Sequence, residues 1–235
     1  GSTGSALMIG LGIVSLFLVV NASLRASLDD TVDNQFEGDV VIDSGGSFVS
    51  GGLPGDIADA VNALPEVDAA TGVRFGFAQI AGTPHGLRAI EPDTGFDLFH
   101  IEVAEGDVSG LDANGIAVFQ GIAEERGWQV GDEIPVVFGE TGEIPFTVAA
   151  LLARRDLTGP FVMGVDAFEA NLPDVGDAQI WVGLADGVTV DEARDDLESV
   201  VASFPSAEVQ DLEEFKAAMK GQYDIILVLV NALLT

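Results

Sequence analysis

The groups in this chain best suited to acid–base, nucleophilic or metal chemistry are two histidines and thirty-nine carboxylates; there is no cysteine. Without cysteine there is no disulfide framework, no thiolate metal site and no sulfur nucleophile. His85 and His100 stand far apart in sequence, and neither belongs to an H-E-x-x-H or H-x-H pattern that would set two imidazoles on one metal. Both read as turn or surface residues. The neighbouring carboxylates Glu124-Glu125 and Asp195-Asp196 fall in helical stretches, where adjacent positions point apart. No D-x-D-x-D-G loop is present for calcium, although an acidic loop near Asp107 and Asp112 leaves that cation open. There is no phosphate loop, no G-x-G-x-x-G after a strand and no G-x-S-x-G elbow. Trp128 and Trp181 read as core or turn anchors. The expectation is a non-catalytic chain: no catalytic, cofactor-binding or metal-binding residue is nominated, and no cofactor.

Charge narrows the partners. Nine lysines and arginines against thirty-nine acids give a formal net charge of −30. Nucleic-acid binding needs a basic footprint to neutralise phosphate, so that class is excluded. A polybasic contact with anionic lipid is excluded on the same ground. What remains is a solvated, repulsive surface, of which adaptation to high salt is one version, with binding of cationic ligands or divalent metal as the alternative.

Hydropathy is uneven. Residues 1–24 carry no charged side chain, and Ala6–Ala22 is apolar on every face. A helix of about 20 such residues crosses ~30 Å of hydrocarbon, and only a helix satisfies its own backbone there. The rival is a secretory signal peptide, but the run is long and lacks a basic leader. A transmembrane helix is therefore expected at 1–24. Leu24, Leu28, Val32 and Phe36 then recur every fourth residue, one stripe of a helical stalk over 25–37. At the other end, Asp211 opens a second stalk over 211–224. Residues 225–235 are again uncharged; as a helix they rise only ~16 Å, the start of a second, truncated transmembrane helix. Scarcity of Lys and Arg beside both spans places the intervening domain outside the cytoplasm.

That domain, 38–210, mixes strands and helices without βαβ alternation, which indicates α+β. Strands are expected at Gly38–Asp43, Val67–Ala81, Gly86–Ile90, Gly115–Phe119, Phe161–Val165, Ala178–Leu184 and Ala207–Gln210. The turn between the second and third spans Gly82–Gly86. Glu133–Phe138 and Ile144–Leu152 form a hairpin across Gly139–Gly142. Pro54 opens a helix over Gly55–Leu64, and Asp166 caps a short one ending at Leu172. Thr189 with Glu192 makes a capping box for the helix running to Phe204. The hairpin-rich middle, about 68 to 165, reads as a subdomain of its own.

Several stretches together resemble the FtsX-like permeases of ABC transporters, with their MacB-like periplasmic core domain. Ser5–Leu16 looks like the first membrane helix of that family, and Ser23–Val32 like its stalk. Glu124-Glu-Arg-Gly-Trp-Gln-Val-Gly-Asp-Glu-Ile-Pro-Val136 is similar to the family's L-x-V-G-D lead into a hairpin. Phe146–Leu152 resembles the strand that follows, and Asp211–Lys216 the approach to the second span. The resemblance implies a permease subunit that pairs with a cytoplasmic ABC ATPase. It further implies a homodimer or pseudo-dimer through membrane helices in lipid, with the external domain meeting an envelope partner or substrate. Export or envelope remodelling would follow from mechanotransmission through the stalks. The alternatives are a ligand-sensing receptor ectodomain, which shares the span–domain–span order, and an anchored envelope enzyme.

Overall fold

The computed structural model describes residue 36 and residues 38–45, 51–111, 114–155 and 158–221. The expected first span, its stalk up to 35 and the second span at 225–235 lie outside the described residues. Among the described residues no helix is long and apolar enough to cross a membrane. The chain divides into two compact units, Gln35–Leu212 on one side and the flanking segments on the other.

In chain order the elements are β1 (Val40–Asp43), α1 (Asp56–Asn62), β2 (Val67–Ile80), β3 (Thr83–Ile90), α2 (Pro92–Leu98), β4 (Val103–Gly106), a 3-10 turn (Val108–Gly110), β5 (Gly115–Phe119), α3 (Gln120–Arg126), β6 (Glu133–Phe138), β7 (Gly142–Leu152), β8 (Phe161–Gly164), α4 (Val165–Asn171), β9 (Gln179–Leu184), α5 (Val190–Val200) and β10 (Glu208–Asp211). A last helix, α6 (212–221), follows β10 directly. The fold is α+β, in the mixed order the sequence indicates.

Strand β2 belongs to two structures at once. Its first half pairs with β9 in an antiparallel sheet ordered β10-β1-β9-β2. Its second half pairs with β3, and the ring continues β3-β8-β5-β7-β6. Strand β6 then returns to β2 at Gln79↔Val137 and Ile80↔Val136, closing a six-stranded barrel. Strand β4 is appended to β7. The hairpin-rich middle of the sequence is this barrel.

Alternation builds its interior, because successive strand residues face opposite ways. Ile134, Val136 and Phe138 on β6 and Phe146 and Val148 on β7 point inward with Ile80, Leu87, Ile116, Phe161 and Met163, all buried. Phe168 from α4 joins this core; a Cβ on Gly76 would lie 2.8 Å from its ring, so β2 carries a glycine where the helix lands. The antiparallel sheet has its own core, in which Val40, Ile42, Ile180 and Val182 pack beneath α1 and α5 through Val61, Ala193 and Leu197. Truncating Leu197, fully buried there, to alanine costs roughly 2–5 kcal/mol. On the opposite face Trp181 is clasped by Phe36 and Phe99, ring centroids 4.6 and 5.1 Å away.

Two local readings need correction. The β2–β3 connection is not the five-residue Gly82–Gly86 stretch but the pair Ala81-Gly82, both at positive φ (47° and 78°). Left-handed backbone at both central residues matches the twist of a two-residue hairpin, which lets β3 begin at Thr83. Asp166 does not cap α4: Gly164 holds that position, and Asp166 lies in the first turn. The Thr189–Glu192 box does form, Glu192 Oε2 accepting from the Thr189 backbone N–H at 3.0 Å.

Candidate functional site

A polar cleft of about 310 Å³ opens where α1, β2, the start of α2 and the turn at Asp177 meet. Its floor is an ion pair. Arg74 sits at the point of β2 where the sheet hands over to the barrel, and both it (5% exposed) and Asp177 (1%) are buried. Arg74 Nε donates to Asp177 Oδ1 at 2.8 Å, and Nη1 to the exposed Glu169 at 3.3 Å. The carboxyl is held from behind: Leu53 and Asp177 exchange backbone hydrogen bonds of 2.8 and 2.7 Å.

Two glycines make the room. A Cβ on Gly72 would lie 2.4 Å from the Asp177 carboxyl carbon, and one on Gly55 would lie 2.5 Å from Arg74 Nη2. Gly72 is required by this close approach, whereas a side chain at Gly55 would push the end of Arg74 aside. Asn62 ties the end of α1 to β2: Nδ2 donates to Ala70 O at 2.8 Å and Oδ1 accepts from Ala70 N–H at 2.7 Å.

Electrostatics follow burial. Removal from water lifts the Asp177 carboxyl above the usual aspartate range, and its contact with Arg74 offsets only part of that. On the rim, burial and then the charge of Asp166 lift Glu91, while Arg74 pulls it the other way. Asp59, Glu91 and Asp93 leave the mouth anionic, and the arginine below already has two carboxylate partners. The cleft therefore suits a cationic or hydrogen-bond-donating group and repels anions. It contains no nucleophile paired with a base.

The residues weighed from sequence do not converge. His85 lies at one end of β3 with its ring 4.9 Å from Phe161; burial, then the charge of Arg126, lowers its pKa. His100 has φ +42°, and its N–H bonds Asp97 O as α2 ends: it is a left-handed helix terminator, a position imidazole tolerates. Glu124, Glu125, Asp195 and Asp196 are exposed on α3 and α5. Asp107 Oδ1 accepts from Ser109 N–H at 2.7 Å; Asp112 lies outside the described residues. No group of three His, Asp or Glu suited to a metal ion occurs among the described residues. Trp181 is core, its indole N–H donating to Gln179 at 3.2 Å, and Trp128 lies under the Arg126 guanidinium at 5.8 Å. Sequence reasoning missed Arg74 and Asp177. The available signal was an arginine centred in an apolar strand of a chain with few cations.

Residues 3–200 match the family described as MacB-like periplasmic core domain. Among solved structures, the periplasmic region of MacB from Actinobacillus actinomycetemcomitans aligns over 82% of this chain and 97% of its own, with a TM-score of 0.60 at 13% identity. The extracellular domain of the noncanonic ABC-type transporter YknZ from Gram-positive bacteria aligns over 74% of this chain and 100% of its own, with a TM-score of 0.54 at 11% identity. No curated protein matches the chain. At these identities the structural likenesses speak for the fold, and the sequence match covers well over half of the residues. The chain belongs to the family of MacB-like periplasmic core domains.

Proposed function

We propose that this domain is the extracytoplasmic part of an FtsX-like ABC transporter permease subunit, moved by ATP hydrolysis on a separate cytoplasmic ATPase. The domain performs no chemistry of its own. The supporting observation is the pairing of its first and last strands: β1 and β10 are antiparallel neighbours with Val40 opposite Asp211. The chain entering the domain and the chain leaving it therefore do so side by side. Two helical stalks attached there would act on one edge of one sheet, and β2 carries that sheet into the barrel. A relative shift of the stalks then reaches the barrel through continuous hydrogen-bonded strands. Export or envelope remodelling follows from such mechanotransmission, with two permease copies paired through membrane helices in lipid.

These 235 residues lack cysteine, so once any cysteine elsewhere in the permease is replaced, a spin label at Glu140→Cys, exposed in the β6–β7 turn, reports on the barrel alone. In the full permease co-purified with its ATPase and reconstituted in lipid, the distance between labels of the two copies should change between ATP and ADP states. A permease that recruits no ATPase, with label distances indifferent to nucleotide, would point instead to the receptor-ectodomain reading.

A further inference from the structure

We infer that the cleft above Arg74 and Asp177 is a binding site for one small organic cation bearing a primary ammonium group. Its floor leaves polar groups unmet. The Asp177 side chain is only 2% exposed yet lines the cleft, and Arg74 Nε donates to its Oδ1. Its second oxygen, Oδ2, has no donor among the described residues. Thr94 lines the same space, and its Oγ1, closed off from solvent, has no hydrogen-bond partner either. Both oxygens can accept from a ligand, whatever the charge around them.

The rim supplies the sign. Asp59 comes from α1, Glu91 stands just before α2, and Asp93 lies in its first turn. They stand close enough together that Asp59 and Asp93 both help to raise Glu91, after its burial and the charge of Asp166. No lysine or arginine pairs with any of the three among the described residues. Arg74, the one cation in the lining, is committed to Asp177 and Glu169. Water fills such a space but leaves its charge unanswered. A divalent metal needs several oxygens in one coordination sphere, and no three carboxylates among the described residues are placed for that. An ammonium asks less, because its three N–H donors can each take a separate acceptor. Ala58, Ala70 and Val165 add apolar wall against which the methylenes of its stem can rest. The volume, about 310 Å³, matches the small end of small-molecule sites. The ammonium could arrive free, on a short alkylamine, or on the lysine side chain of a partner.

The test titrates the whole chain with cadaverine by calorimetry at about 0.15 M salt, where exposed charges are largely screened. One saturable site per chain is expected. Glu91→Gln with Asp93→Asn should weaken it roughly tenfold, and Ala58→Leu, which fills the cleft without touching its charge, should weaken it as well. Asp195→Asn with Asp196→Asn removes the same charge from α5 and should leave the site unchanged. A lysine amide blocked at both α-ends carries the same ammonium: if it binds more tightly than cadaverine the occupant is a partner's side chain, and if less tightly a free amine. Binding of neither compound overturns the site. So does binding that the α5 pair weakens as much as the cleft pair, or that magnesium displaces. Should the cleft variants fail to fold, amide shifts of the unaltered chain decide. Cadaverine should move residues 55–62 and 91–94, and shifts along α5 in their place overturn the site equally.

Discussion

At the scale of single residues, the Arg74–Asp177 pair is the most exacting feature of the domain. Removing one partner of a buried pair strands the other charge, at a cost of ~3–5 kcal/mol. Arg74→Leu should therefore lower stability by about that amount at pH 7, read by denaturant melts, whereas Glu169→Ala should change it by less than ~1 kcal/mol because Glu169 is exposed. The pH dependence fixes the cause. Burial already raises the Asp177 carboxyl, and Arg74 is what restrains the rise. Without Arg74 the folded-state pKa climbs further above the unfolded value. A group raised in this way favours the folded state fully below its unfolded pKa and loses that contribution as pH rises through its folded pKa. The Arg74→Leu deficit should accordingly shrink from pH 7 to pH 5, and a further Asp177→Asn change should abolish the pH dependence. A deficit constant across that range would mean that lost packing, not a stranded carboxylate, is the cause. None of this was legible in the sequence, because the partners lie 103 residues apart and only the fold brings them together.

At the scale of elements, β2 sets the behaviour of everything attached to it. Its fourteen residues serve the sheet over Val67–Val73 and the barrel over Arg74–Ile80. Opening either structure breaks bonds to the other, so β2 amides can exchange only when both open. Hydrogen exchange should give the slowest rates in β2 and its partner β9, and faster rates in β4, an edge strand paired only with β7. Fast exchange across residues 72–75 would show that the sheet and the barrel open independently. Local features were readable: the β6–β7 hairpin carries its own alternation and turn residues, and β5 and β9 show as short apolar runs. Closure of the barrel was not. It rests on two residue pairs between β2 and β6 and on parallel pairings of β3 with β8 and β5 with β7, which join segments distant in sequence. Alternation tells which face of a strand is buried and is silent about which strand lies alongside. The polar cleft was hidden for the same reason, since its lining comes from α1, β2, α2 and the Asp177 turn.

At the scale of the whole molecule, the charge of −30 and the placement of the few cations are one fact. Arg74 is buried against two carboxylates, Arg88 is half-buried against Phe75, Arg126 and Arg155 lie over Trp128 and Phe119, and Arg194 donates to Val209 O at 2.9 Å. Guanidiniums so committed are too few to neutralise the surface, and most of the thirty-nine acids are left to repel one another. Helix α5 shows the result: Asp191, Glu192, Asp195, Asp196 and Glu198 are exposed together along eleven residues. Such self-repulsion penalises the compact state and is relieved by screening. As ionic strength rises to 0.15 M the Debye length falls to ~8 Å, comparable to the spacing of neighbouring surface charges, so relief should be steepest there. Thermal midpoints in sodium gluconate should climb by several degrees from low salt to about that concentration and then flatten. Asp195→Asn with Asp196→Asn should reduce the slope, because these two carboxylates stand within the densest row. A midpoint indifferent to gluconate would mean that the acidic surface costs the fold little. Its role would then lie in repulsion between neighbouring molecules, a colloidal property that light scattering at the same salt concentrations would reveal.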